Sequence, residues 1–180
     1  PDYIGGVLWF GNDDANMVAL TPIYSCLEAV PECYSQKLAN ATKFSFRNAY
    51  WMCNWVSNMV YLRYNLLFPE LQKVRNRLEN DYNSLQVDIE SKAATMSKSE
   101  AVKYLSAYSH RIADAMMDEW NQLAQLIIVK YNDMSVKRMD ENGQYEKTPG
   151  GNPRPVLRPG YPERFKREII KQAGSRYQIP

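Results

Sequence analysis

The period of the apolar positions changes twice along the chain, and each change marks a different kind of element. Ile4 to Phe10 is an apolar run opened by Gly5-Gly6, Val18 to Tyr24 is a second, and Ser25 to Val30 is a candidate third. Gly11-Asn12-Asp13-Asp14 between the first two is a turn signal. Residues 1–46 therefore read as strands and turns. Pro22 has no N–H to give to a ladder, which confines its strand to an edge or a bulge. Two or three short strands are too little sheet to stand alone, so partner strands are expected from elsewhere.

From residue 47 to 131 the spacing is helical. The first helix is expected from Phe46 to Phe68. Trp51, Trp55, Met59, Leu62 and Leu66 share one face, and Tyr50, Asn54, Ser57, Tyr61 and Tyr64 the next. Pro69 fits the first turn of a second helix and places the break there. That helix runs to Ala94, with Leu71, Val74, Leu78, Tyr82, Leu85 and Ile89 inward and Lys73, Arg75, Arg77, Glu79, Asp81 and Glu90 on the other faces. Ser97-Lys98-Ser99-Glu100 matches a capping box and opens a third helix to about Lys130. Ala101, Tyr104, Leu105, Tyr108, Ile112, Ala115, Met116, Trp120, Leu123 and Ile127 face one way on it. The short Thr95–Ser97 turn makes the second and third helices an antiparallel hairpin. Residues 132–180 read as an extended arm and one short helix, with the stretch from Asp140 to Pro162 either laid over the body or partly disordered, because it holds five Pro and four Gly. The fold class is thus α+β and helix-rich.

The segment Ala49 to Tyr64 is almost free of charge for four turns, so most of its circumference is expected to be buried. Asn54, Ser57, Asn58 and Arg63 inside it then need partners. They form either a substrate-contacting set or a polar lattice that docks the helix and ties down neighbouring loops. On the lattice reading, Asn58→Ala costs about 1–3 kcal/mol.

Trp51, Asn54, Val56-Ser57-Asn58, Tyr61, Arg63-Tyr64-Asn65 and Pro69-Glu70-Leu71-Gln72-Lys73-Val74 also form a signature. Gly5 to Asp14 with Thr21-Pro22-Ile23-Tyr24, Leu126 to Tyr131, and Pro159 to Glu163 extend it in order. Together these stretches resemble the late region of the cysteine-nucleophile dipeptidases, the dipeptidase A type of N-terminal-nucleophile hydrolase. The resemblance implies that the late strands and long helices belong to a four-layer αββα sandwich. Residues 1–180 would be the C-terminal part of one catalytic domain in a bacterial protein. It implies dipeptide hydrolysis by a processed N-terminal cysteine lying upstream of Pro1. No residue here is assigned as catalytic, and the isolated chain is expected to be inactive. The partners implied are a small peptide substrate and the remaining N-terminal part of the same protein.

A net charge of +2 gives no electrostatic case for nucleic acid. The uncharged run from Asn48 to Leu62 is too short and too polar for a membrane span, so a soluble chain is expected. Whether it works in the cytoplasm or is exported stays open. Aromatics at 12% suit interfaces and ligand walls as well as cores, and are compatible with a homo-oligomer. Cys26, Cys33 and Cys53 are not at zinc spacing and the single His110 completes no site, so neither metal nor cofactor is expected. All three thiols read as free and buried, with a Cys26–Cys33 bridge as the alternative in an oxidising compartment, and His110 reads as a partly exposed helix residue.

The candidate substrate-binding residues are Asn12, Asp13 and Asp14, which follow a buried-type strand. A carboxylate or amide there could meet a dipeptide's free amino group, or the residues could simply be those a β-turn favours. Two other functions remain open: a non-catalytic helical binding module that uses the aromatic surface, and a related acylase acting on a non-peptide amide.

Overall fold

The computed structural model describes residues 1–176. They divide into two compact units, Pro1–Gln125 and a second beginning at Leu126. Long helices dominate, beside a sheet of two strands.

In the first unit a one-turn helix, α1 (Asp2–Gly5), precedes strand β1 (Val7–Phe10), so the first apolar run is strand only from Val7. Strand β2 (Thr21–Tyr24) pairs with it antiparallel, Val7 opposite Tyr24 and Trp9 opposite Pro22. Residues 25–30 form turns rather than a third strand. The Ser25 amide donates to the Gly6 carbonyl at 2.7 Å. Alternation along an antiparallel ladder then turns the backbone nitrogens of Tyr24 and Pro22 away from β1. Pro22 therefore forfeits no ladder bond. The outward amide of Tyr24 is taken instead by Ser109 Oγ at 3.1 Å.

The helices are α2 (Ala49–Leu62), α3 (Tyr64–Ala94) and α4 (Lys98–Tyr131). The break falls at Arg63 (φ −147°, ψ 57°), and Pro69 lies inside α3, not at its start. Proline lacks an N–H and crowds the carbonyl four residues back, yet α3 continues through it. The buried face of α2 also differs from the expected one. Ala49, Met52, Cys53, Val56, Ser57 and Val60 go inside, while Trp51 and Trp55 are half-buried and Leu62 is 66% exposed. The indoles cover the flank, edge-on to Phe44 and Phe46, where the Trp51 indole N–H reaches the Asn40 and Lys43 carbonyls, each at 3.1 Å.

Helices α3 and α4 form the expected antiparallel hairpin. Arg77 pairs with Glu119 at 2.5 Å, and Lys92 lies over the Tyr104 ring, so positions advance along α3 as they retreat along α4. The capping box is formed: the Ser97 amide donates to Glu100 Oε2 at 3.0 Å, and the Glu100 amide points back to Ser97 Oγ at 3.4 Å. On α4 every expected inward residue is buried except Tyr104, which is half-buried, and Ala115, which is exposed. On α3 the seam drifts. Leu71, Leu78 and Tyr82 are buried, Leu85 is exposed, and Ala93 closes the far end. Glu90 faces inward rather than to solvent, accepting from the Tyr24 hydroxyl at 3.1 Å and from Gln86 at 2.8 Å.

In the second unit a 3-10 turn (Asn132–Met134) follows the end of α4. The proline- and glycine-rich stretch folds into two tight turns. Asp140 and Gln144 close the first, and Thr148 and Asn152 the second, with Gly143 at φ 74° and Gly151 at φ 82°. Single bridges join Val136 to Leu157, Met139 to Tyr145 and Lys147 to Pro153. The short helix is α5 (Glu163–Ala173).

Candidate functional site

The loop between β1 and β2 starts at Gly11, where any Cβ would lie 2.8 Å from Val18 Cγ2. That close approach returns the chain toward β2. Asp13 takes a left-handed backbone (φ 75°), which aspartate tolerates better than most residues. Asp14 Oδ1 accepts the Asn16 amide at 2.8 Å, closing a short turn. Both carboxylates point to α2. Asp13 accepts from Asn54 Nδ2 at 2.9 Å and from Ser57 Oγ at 2.5 Å, and Asp14 accepts from the Tyr61 hydroxyl. Asn54, Ser57 and Tyr61 lie on the polar face that helical spacing marked out on α2.

Helix α3 holds the other side of the loop. Arg75 donates to the Asn16 carbonyl at 2.6 Å, Asn16 Nδ2 to the Tyr64 hydroxyl at 3.3 Å, and the Leu20 amide to Glu79 at 3.0 Å.

Every side chain that holds the two carboxylates is neutral, and among the described residues neither carboxylate forms a salt bridge. The Tyr61 hydroxyl, and then the Asn16 amide, keep the Asp14 carboxyl below the usual carboxylate range, while the same bond raises the Tyr61 hydroxyl. Asp13 is exposed and Asp14 half-buried. The result is a solvent-facing pair of negative charges with fixed orientation, fit to receive a primary ammonium.

Asn12 turns elsewhere. It lines a half-open cavity of about 300 Å³ with Tyr34, Asn48, Tyr50 and Trp51. Its Oδ1 is buried without a hydrogen-bond partner. Asn48 builds the wall. It caps α2 by accepting the Trp51 amide at 3.4 Å, and its Nδ2 donates to the Cys33 and Ser35 carbonyls, each at 3.3 Å. Tyr34 is fixed by a 2.7 Å bond between its hydroxyl and Thr21 Oγ1. Thus Asn12 lines the cavity at the N-terminal end of α2, while Asp13 and Asp14 bond to residues further along the same helix. The cavity had no sequence signal beyond the density of Tyr and Trp.

Of the polar set on the first long helix, Asn54 and Ser57 tie down the loop. Asn58 is exposed and bonds only within α2, to Asn54. Arg63 is buried at the α2–α3 junction with both terminal nitrogens unpartnered.

The three cysteines are free; Cys33 and Cys53 are buried, whereas Cys26 is half-buried, contrary to expectation. Burial, and then the Asp114 charge, push the Cys33 thiol up to about 12; burial, and then the Asp13 charge, raise Cys53; burial raises Cys26. A protonated thiol is a poor nucleophile. His110 is half-buried with Nε2 2.9 Å from the Ala29 carbonyl. Among the described residues no group of His, Cys, Asp and Glu side chains has the arrangement to hold a metal ion, and no helix is long and apolar enough to cross a membrane.

Residues 1–77 match the family model of Peptidase family C69, the dipeptidase A type family. The matched region contains β1, β2, α2, the carboxylate loop and the cavity, and it bears out the resemblance read from the same residues. The Leu126–Tyr131 and Pro159–Glu163 stretches lie beyond it. The match supports a peptidase function. No curated protein matches the chain.

Proposed function

We propose that the chain is the C-terminal part of a dipeptidase that cleaves dipeptides with a free N-terminus, using a cysteine nucleophile upstream of Pro1. The observation that carries this reading is the solvent-facing Asp13–Asp14 pair, clamped to α2 by neutral donors. A dipeptide differs from a longer peptide chiefly in carrying charged termini close to the scissile bond. An anionic pair held rigidly at a strand end recognises the ammonium terminus and sets the register of the amide.

The cysteines of this chain support the upstream nucleophile, since burial leaves each thiol harder to ionise. In such a mechanism the cysteine's own α-amine takes the thiol proton. The thiolate adds to the carbonyl, the amine product leaves with a proton, and water hydrolyses the thioester. The outer edge of β1 pairs with no strand among the described residues, which fits a larger sheet of the αββα type.

The test is steady-state kinetics of the full-length protein on a dipeptide and on its N-acetylated analogue. In the parent protein the dipeptide is the substrate and the acetylated form is hydrolysed poorly. Asp13→Asn and Asp14→Asn raise KM for the dipeptide about ten-fold or more, since a charged hydrogen bond contributes roughly 1.5–3 kcal/mol. Equal turnover of the two compounds, or unchanged kinetics in both variants, would remove the ammonium-binding role. The isolated chain shows no turnover; measurable hydrolysis by it overturns the upstream nucleophile.

A further inference from the structure

Resting on that reading, we infer that the cavity beside Asn12 is the subsite for the side chain of the substrate's N-terminal residue, and that it selects a large apolar or aromatic one. The argument begins with α2. Tyr50 and Trp51, which wall the cavity, stand one turn before Asn54, which holds Asp13. One turn is about 5.4 Å of rise. The cavity and the anionic pair are also joined through the loop, because Asn12 lines one and Asp13, the next residue, belongs to the other.

In an amino-terminal residue the ammonium and the side chain leave the same Cα. A ligand with its ammonium at the Asp13 end of the pair, beside Asn54, therefore has its side chain within about one helical turn of the cavity wall. The chemistry of the wall then states what fits. Tyr34, Tyr50 and Trp51 give it ring surface beside four neutral amide side chains, and the polar tips of two rings are engaged elsewhere, the Tyr34 hydroxyl with Thr21 and the Trp51 indole with two carbonyls. A volume of about 300 Å³ accepts an aromatic side chain and leaves a small one under-filled. No charged residue lines the cavity, so a charged side chain would lose hydration there with no partner.

The experiment compares kcat/KM for Phe-Ala, Ala-Ala and Asp-Ala in the full-length protein and in two variants at exposed wall positions. Ala41→Trp fills the cavity, and Tyr50→Ala removes part of its ring surface. Phe-Ala is expected to be the best substrate and Asp-Ala the worst. Either variant lowers the ratio of Phe-Ala to Ala-Ala by about ten-fold or more, the scale of discrimination that an apolar pocket provides. A ratio that stays within about two-fold of the parent in both variants, with dipeptide hydrolysis intact, overturns the subsite and leaves the dipeptidase reading standing. Absence of hydrolysis for all three dipeptides in the parent protein overturns both.

Discussion

At the scale of single residues, the polar face of α2 separates into groups of different worth. Ser57 is buried and gives its hydroxyl to the exposed Asp13, where water can replace it, so Ser57→Ala loses one net hydrogen bond and costs about 0.5–1.5 kcal/mol. Asn58 was expected to be buried; it is exposed, and its bonds stay within α2. Asn58→Ala therefore stays within about 0.5 kcal/mol of the parent, and urea denaturation of the two variants separates them. Asp14 gives a pH test. Its folded carboxyl titrates below the unfolded one, so the contribution of its bonds is complete above the ordinary carboxylate range and is lost as pH falls through the depressed folded value. The Tyr61 hydroxyl is the largest cause, so Tyr61→Phe moves the Asp14 titration, followed by carboxyl NMR, back up toward the ordinary value. An unmoved titration would mean that Tyr61 does not hold the loop. Residue types alone could not distinguish Ser57 from Asn58, because both are small and polar on neighbouring positions of one helix.

Among the elements, the hairpin of α3 and α4 was the most legible, since apolar positions three and four apart persist over both and a capping box marks the start of the second. Two of its features were hidden. Pro69 reads as a helix start, yet the turn before it is helical too, because the break was taken by Arg63. Removing the ring restores a backbone donor inside α3, so Pro69→Ala raises stability by up to about 3 kcal/mol, measured by thermal and chemical denaturation. Glu90 reads as a surface charge but serves as acceptor for a buried tyrosine, which periodicity cannot show. The hairpin also buries hydroxyls of unequal value. Tyr108 and Tyr82 have no partner for theirs, whereas Tyr24 donates to Glu90. Tyr108→Phe is accordingly neutral or mildly stabilising, while Tyr24→Phe destabilises by about 1–2 kcal/mol. The core of α2 was misread for a related reason. Trp51 and Trp55 have the largest apolar area, but their N–H groups and bulk suit the flank, and the tighter interior took Ala49, Met52, Cys53 and Val56.

On the scale of the whole molecule, strands first and helices after was readable from the change of period, and the family match covers the residues where that order is set. The two turns of the second unit were missed as ordered structure because each rests on one glycine at positive φ, and the first also on the Asp140 carboxylate as acceptor, signals too local for any period. The first unit is joined across its layers by Tyr24, whose amide is held by Ser109 of α4 and whose hydroxyl is held by Glu90 of α3. An amide protected in that way exchanges with solvent deuterium only when α4 lifts off the strand, not when the two-stranded ladder frays. Its protection factor is thus a direct gauge of how strongly the helical hairpin and the sheet unfold as one cooperative body, and Ser109→Ala would uncouple that gauge without touching the ladder.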